Sequence, residues 1–182
     1  MAGIDPALPF LPVRIAVLTI SDSRDLSQDR SGETLVSRAT AAGHEVVDRK
    51  LVKDEIPLVQ AIVRAWIDDP QVDVVITTGG TGLTGRDITP EAIESLYEKF
   101  IPGFGELFRW QSFATIGTST IQSRATAGVA GGTYIFALPG SPGACRDAWD
   151  GILLTQLDSR HRPCNFVEIM PRLQEHVRRG PH

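Results

Sequence analysis

Residues 72–93, VDVVITTGGTGLTGRDITPEAI, run from a β-branched strand through a glycine-rich turn into a helix start. The segment VDVVITT has the unbroken apolar, β-branched character of a buried strand. Glycines at 79, 80, 82 and 85 then leave the backbone bare, and an Arg86-Asp87 pair follows at once. Thr89 and Pro90 suit the N-cap and first turn of a helix reaching to about Tyr97. A strand feeding a helix through a tight loop is the repeating unit of an α/β fold.

The same alternation extends in both directions. Upstream, VRIAVLTI (13–20) reads as a buried strand, SDSRDLSQDRSGE as a polar loop, and ETLVSRATAAG as a helix closed by Gly43. HEVVDRKLV (44–52) is a second strand. DEIPLVQAIVRAWIDD places Leu58, Val59, Ile62, Val63, Trp66 and Ile67 at the spacing of an amphipathic helix. Downstream, PGFGELFRWQSF reads as a shorter helix rich in aromatics, QSRATAGVAGG as a short helix, and TYIFALPG as a last strand. SPGACRDAWDGILLTQLDSR (141–160) reads as one long helix, opened at Gly140 or Ser141, with Cys145, Ala148, Trp149, Ile152 and Leu153 on its apolar face. The pattern predicts a three-layer α/β/α sandwich around a mainly parallel sheet, as a single domain over residues 13–171 with tails at 1–12 and 172–182.

Composition narrows the function classes. The 182 residues are 42% hydrophobic and 22% charged with a net charge of −4, an ordinary globular composition without the basic excess of a nucleic-acid binder. No apolar run approaches a membrane span, and the start lacks a basic region ahead of a long apolar stretch, so neither a membrane anchor nor a signal peptide is expected. Cys145 and Cys164 stand far apart, which suits free thiols in a reducing cytoplasm, Cys145 buried and inert. His44, His161, His176 and His182 show no metal-ligand spacing.

Gly80-Thr-Gly82-Leu-Thr-Gly85 matches GxGxxG, but a dinucleotide fold needs its helix to open among the glycines and an acidic residue closing the next strand. Here the helix waits for Thr89, and Glu106, at about the right spacing, lies in helix-like sequence. A P-loop needs Lys-Ser/Thr after the glycine, where this chain has Arg86-Asp87. The loop still suits anion binding, because glycines let N–H groups converge where no Cβ intervenes.

In a parallel sheet the loops that follow the strands meet on one edge. Ser21, Asp22 and Ser23, then Asp54, Gly79–Gly82 and Pro139–Ser141 are therefore expected to line one cleft. Asp54 and Asp87 could share a metal there, and Arg86 could balance charge or grip a phosphate. The alternatives are a loop-bracing role for Asp87, a helix-dipole role for Asp54 and Glu55, and an Asx-turn for Asp22.

Taken together, TTGGTGLTGRDITPEAI, SDSRD, DRSG, KDEIP, IGTSTIQSRATAG, LPGSPGACRDAWDGIL and QLDSRHRPCNF resemble the molybdenum-cofactor biosynthesis proteins of the MoaB/MogA family over nearly the whole chain, nearer the MoaB branch at the C-terminal end. The resemblance implies a molybdopterin ligand whose terminal phosphate active members adenylylate with ATP and Mg2+. It implies Asp87 and Asp54 as catalytic and metal-binding carboxylates. Ser21, Asp22, Gly79, Gly80, Thr81, Gly82 and Ser141 match the family's ligand-binding loops, and Ser23, Arg86, Ser123, Arg124, Pro139 and Gly140 beside them complete the expected substrate-binding set. It further implies a homo-oligomer, trimer or hexamer, with possible contacts to other proteins of the pathway. A non-catalytic molybdopterin carrier or scaffold is the alternative that the same residues allow.

Overall fold

The computed structural model describes residues 2–23 and 25–179. Its strands are β1 (Gly3–Ile4), β2 (Arg14–Ile20), β3 (Glu45–Val52), β4 (Val74–Thr78), β5 (Lys99–Phe100), β6 (Thr126–Ala130), β7 (Thr133–Leu138) and β8 (His161–Arg162). The principal helices are α1 (Arg30–Ala41), α2 (Ile56–Ile67), α3 (Thr89–Glu94), α4 (Pro102–Ile116) and α5 (Pro142–Ala148).

Six strands form one sheet in the order β3-β2-β4-β7-β6-β5. The pairs β2/β3, β2/β4 and β4/β7 are parallel, whereas β6 and β5 add antiparallel strands at one edge. Helices cover both faces, so alternate residues of one strand enter two different cores. Ile15 and Val17 join Leu35, Phe104, Phe108 and Trp149 on one side. Ala16, Leu18 and Ile20 join Val59, Val63, Trp66, Ala92 and Ile93 on the other. Strand β4 lies between two parallel neighbours beneath both helical layers, and all five of its residues are buried. The expected three-layer sandwich is therefore present.

Several local expectations change. QSRATAGVAGG is not helical: Thr126–Ala130 form β6, paired antiparallel with β7. Gly131 and Gly132 both have positive φ, 58° and 87°, and Ala130 pairs with Thr133. That is a two-residue hairpin turn, which needs residues tolerant of the left-handed region. The aromatic helix α4 is longer than predicted, at 15 residues. The long helix over 141–160 is interrupted, with α5 giving way to a π-helical turn at Trp149–Leu153 and a short helix α6 at Leu154–Gln156. Within that turn the Gly151 carbonyl accepts from Gln111 Nε2 of α4 at 3.0 Å. Its predicted apolar face is nonetheless buried throughout, Cys145 included.

Thr89 does not cap α3: it is the first helical residue, and its hydroxyl donates instead to the Gly79 carbonyl at 2.7 Å. The helix ends at Glu94, short of Tyr97. Residues 2–12, expected as a tail, lie along the body. Strand β1 pairs with β8, and the Phe10 ring packs 5.3 Å from His44. Leu173 packs against the core, Glu175–Arg179 are helical, and residues 180–182 of the expected C-terminal tail lie outside the described residues.

Candidate functional site

Register decides where the loops meet. Thr19 of β2 lies opposite Leu51 of β3 and Thr78 of β4, and Thr78 lies opposite Leu138 of β7. Four parallel strands thus end level. The next residues continue the ladder, with Ser21 N–H on the Val52 carbonyl (2.9 Å) and Gly79 N–H on the Leu138 carbonyl (3.0 Å). The chains that leave them surround a cavity of about 920 Å³. Ser21, Asp22, Ser23, Asp54, Gly79–Gly82, Arg86, Asp87, Ser123 and Pro139–Ser141 all line it. Arg124 does not: its side chain lies on a separate cavity of about 420 Å³.

The glycine loop is built with its carbonyls engaged. Gly79 O accepts from Thr89 Oγ1 at 2.7 Å and Gly80 O from Thr89 N at 2.9 Å. Thr81 O accepts from Arg124 N at 3.1 Å, and Gly82 O from Arg124 Nε at 2.8 Å. The N–H groups of Gly80 and Thr81, by contrast, have no acceptor among the described residues. Adjacent free donors with the neighbouring acceptors all occupied make a cradle for an anion. Space also demands glycine here. Gly80 has φ +64°, and a Cβ on it would stand 2.4 Å from Thr89 Oγ1 and 3.0 Å from Asp54 Oδ1.

Two carboxylates flank this cradle, and their surroundings shift their proton affinities in opposite directions. Burial, then the neighbouring charge of Asp22, pushes the Asp54 carboxyl above the ordinary carboxylate range. For Asp87 burial acts in the same sense, but is outweighed by hydrogen bonds from the Thr84 hydroxyl, the Thr84 and Gly82 amides, and the charge of Arg124, which hold it below that range. Thr84 supplies its amide at 2.8 Å and its hydroxyl at 2.6 Å to Asp87 Oδ2. Asp87 therefore braces its own loop and still borders the cavity. Asp22 is engaged by Arg86 and by the Asp54 amide. Its Oδ2 accepts from Arg86 Nε at 2.8 Å and Nη2 at 2.5 Å, and its Oδ1 from Asp54 N at 3.2 Å. Arg86 is thus paired with Asp22 across the mouth of the cavity it lines, and Asp22 is held below its ordinary range chiefly by that guanidinium. Ser141 caps α5, its Oγ accepting from Ala144 N at 3.1 Å, and Ser31 Oγ donates to Gly140 O at 2.7 Å.

The opposite wall comes from α4 and the 3-10 turn after it. Phe108, Ser112, Thr115, Ile116, Thr120 and Gln122 face the cavity, and Asp147 joins from α5. Ser112, Thr115 and Ile116 stand three and four residues apart on one helical face, a stripe legible in the sequence but indistinguishable there from a core or interface face. Asp22, Asp54, Asp87 and Asp147 outnumber Arg86 among the described lining residues. An anion bound here needs a cation beside it. Among the described residues no group of three or more His, Cys, Asp or Glu side chains is placed to hold a metal. One or two carboxylates completed by phosphate oxygens and waters is the set magnesium adopts.

Residues 16–159 match the family model described as a probable molybdopterin binding domain. The chain belongs to this molybdopterin-binding family. It is 54% identical over 157 residues to molybdenum cofactor biosynthesis protein B of Escherichia coli K12, an alignment covering 86% of this chain and 92% of that protein. Among solved structures, a molybdenum cofactor biosynthesis protein B superposes with TM-score 0.82 at 40% identity, covering 91% of this chain and 98% of that one. The tungsten cofactor synthesizing protein MoaB of Pyrococcus furiosus superposes with TM-score 0.71 at 35% identity, covering 78% and 91%. The family model thus spans all four loops of the cleft and the α4 wall. No helix among the described residues is long and apolar enough to cross a membrane.

Proposed function

We propose that this chain is a molybdopterin adenylyltransferase, which joins the terminal phosphate of molybdopterin to AMP from ATP and releases pyrophosphate. The observation that carries this reading is the pair of N–H groups at Gly80 and Thr81 without an acceptor among the described residues, flanked by Asp54 and Asp87 in a cavity of about 920 Å³. A phosphate oxygen of molybdopterin attacks the α-phosphorus of ATP, the bond from that phosphorus to the bridging oxygen breaks, and pyrophosphate leaves with the electron pair. Such chemistry rests on positioning and charge neutralisation, and the protein need not be covalently modified.

The glycine-loop amides bind phosphate oxygens. Asp87, kept ionised by Thr84, Gly82 and Arg124, and Asp54 are the residues that would hold magnesium. That ion, when bound, neutralises charge on the phosphates. A cation held by Asp54 would offset the burial and the Asp22 charge that raise its affinity for protons. The wall of Phe108, Ser112 and Ile116 offers an apolar, partly hydroxylated surface for the pterin body. A second copy of the chain is the natural cover for the outer face of α4, where Trp110 is 74% and Phe113 56% exposed.

Asp87→Ala tests the assignment. It is expected to bind molybdopterin but to lose turnover with MgATP, and wild-type turnover in this variant would remove Asp87 from the chemistry. The carrier reading shares the binding half. It is favoured by one feature, that Arg86 is already paired with Asp22, and it predicts saturable binding without product.

A further inference from the structure

Arg124 was expected among the substrate-binding residues, yet it does not border the cleft. Its guanidinium stands behind the glycine loop with every nitrogen engaged. Nε donates to Gly82 O at 2.8 Å, Nη2 donates to Asp87 O at 2.8 Å, and Nη1 donates to Glu91 Oε1 on α3. Its own N–H donates to Thr81 O at 3.1 Å. One residue thus holds three carbonyls of the loop that carries both the free amides and Asp87. Its neighbour Ser123 lines the opposite part of the cleft, so the same residue ties the two walls together. Glu91 also stands off the cleft, on the smaller cavity with Arg124.

A peptide unit is planar, so fixing the direction of a carbonyl fixes the direction of the next N–H. We propose that Arg124 is a positioning residue, anchored by Glu91, that grips the carbonyls of Thr81, Gly82 and Asp87 and so holds the Gly82 amide against the Asp87 carboxylate and keeps that carboxylate at the cleft. The proposal deepens the phosphate-cradle reading above and rests on it. It distinguishes geometry from charge. Lysine keeps the charge but presents a single point donor in place of the planar fork, and cannot hold Gly82 O, Asp87 O and Glu91 together.

The test compares Arg124→Lys and Glu91→Gln with the wild-type full chain by three readouts. These are thermal midpoint, hydrogen exchange of the Thr84, Asp87 and Thr89 amides without ligand, and steady-state kinetics with molybdopterin and MgATP. Expected for Arg124→Lys are a near-native midpoint, faster exchange confined to the loop, and a fall in kcat of about 100-fold, the scale of a small misplacement of reacting groups. Glu91→Gln should show a smaller loss in the same direction, and the double variant little more than Arg124→Lys alone. Wild-type exchange and kcat in Arg124→Lys would overturn the proposal. So would a salt-sensitive loss of substrate affinity in Arg124→Lys with Glu91→Gln silent, since that pattern marks a direct phosphate contact. Should the wild-type chain form no product, loop exchange and molybdopterin affinity still decide: faster exchange with weaker binding upholds the positioning role while the adenylyltransferase reading falls, and unchanged exchange defeats the positioning role.

Discussion

Replacing Gly80 with alanine probes the cradle at its tightest point. Gly80 has φ +64°, a conformation that costs an L-residue about 1–2 kcal/mol. The added Cβ would stand 2.4 Å from Thr89 Oγ1, so the hydroxyl must leave its 2.7 Å bond to Gly79 O. Thr89 is fully buried, and stranding such a group costs about 1–3 kcal/mol. Reduced freedom of the unfolded chain returns roughly 0.5 kcal/mol. The net expectation is a loss of about 2–4 kcal/mol, or roughly 10 °C in Tm for a chain of this length. Asp54 Oδ1, 3.0 Å from the new Cβ, must also move, so molybdopterin affinity should fall with stability. Gly85→Ala is the control: nothing lies within 4 Å of its Cβ and its φ is not positive, so it should match the wild type. Urea denaturation of both variants gives the comparison. A Gly80→Ala protein within about 0.5 kcal/mol of wild type would refute the loop geometry, because surface changes free of such strain fall in that range.

Other consequences follow from the electrostatics and the exposed face. Asp54 binds its proton more tightly in the folded state than in the unfolded chain, so its ionisation costs stability as pH rises through the folded pKa and costs nothing below the unfolded value. Asp54→Asn should therefore raise Tm at pH 7.5, show no gain near pH 3, and lose turnover; a lower Tm at pH 7.5 would contradict the burial argument. Asp87 has the opposite sign: its contribution is present above the unfolded carboxylate pKa and fades as pH falls through its depressed folded value. Arg86→Ala removes an exposed, solvent-screened ion pair, so stability should stay close to wild type while MgATP affinity falls about tenfold by equilibrium dialysis. Trp110→Glu places a charge on the exposed face of α4 and should lower the sedimentation coefficient to that of a single chain; an unchanged profile would remove α4 from any subunit contact.

The alternation of strands and helices was legible because buried parallel strands carry continuous β-branched runs and their helices carry one apolar stripe. Residues in four separate loops could be assigned to one cleft for the same reason, since parallel strands must end on a common edge. Three things escaped. Thr126–Ala130 is small and polar at its start, and its strand character comes from pairing with β7 through Gly131-Gly132, a hairpin signal overlooked among the glycines. The α4 wall escaped because a helix reveals its faces without revealing which one meets a cavity. Phe108 and Ser112 turn toward the cleft while Trp110 turns to solvent. Arg124 was assigned to ligand by its place beside the glycines, yet it lies off the cleft on the loop carbonyls, a contact that arises only from tertiary folding.

Purified protein incubated with molybdopterin, ATP and magnesium should yield molybdopterin-AMP by mass spectrometry, with one pyrophosphate released for each product and none of either in Asp87→Ala. Saturable molybdopterin binding with no molybdopterin-AMP formed would contradict the adenylyltransferase assignment and leave the glycine loop as a phosphate cradle that binds without chemistry.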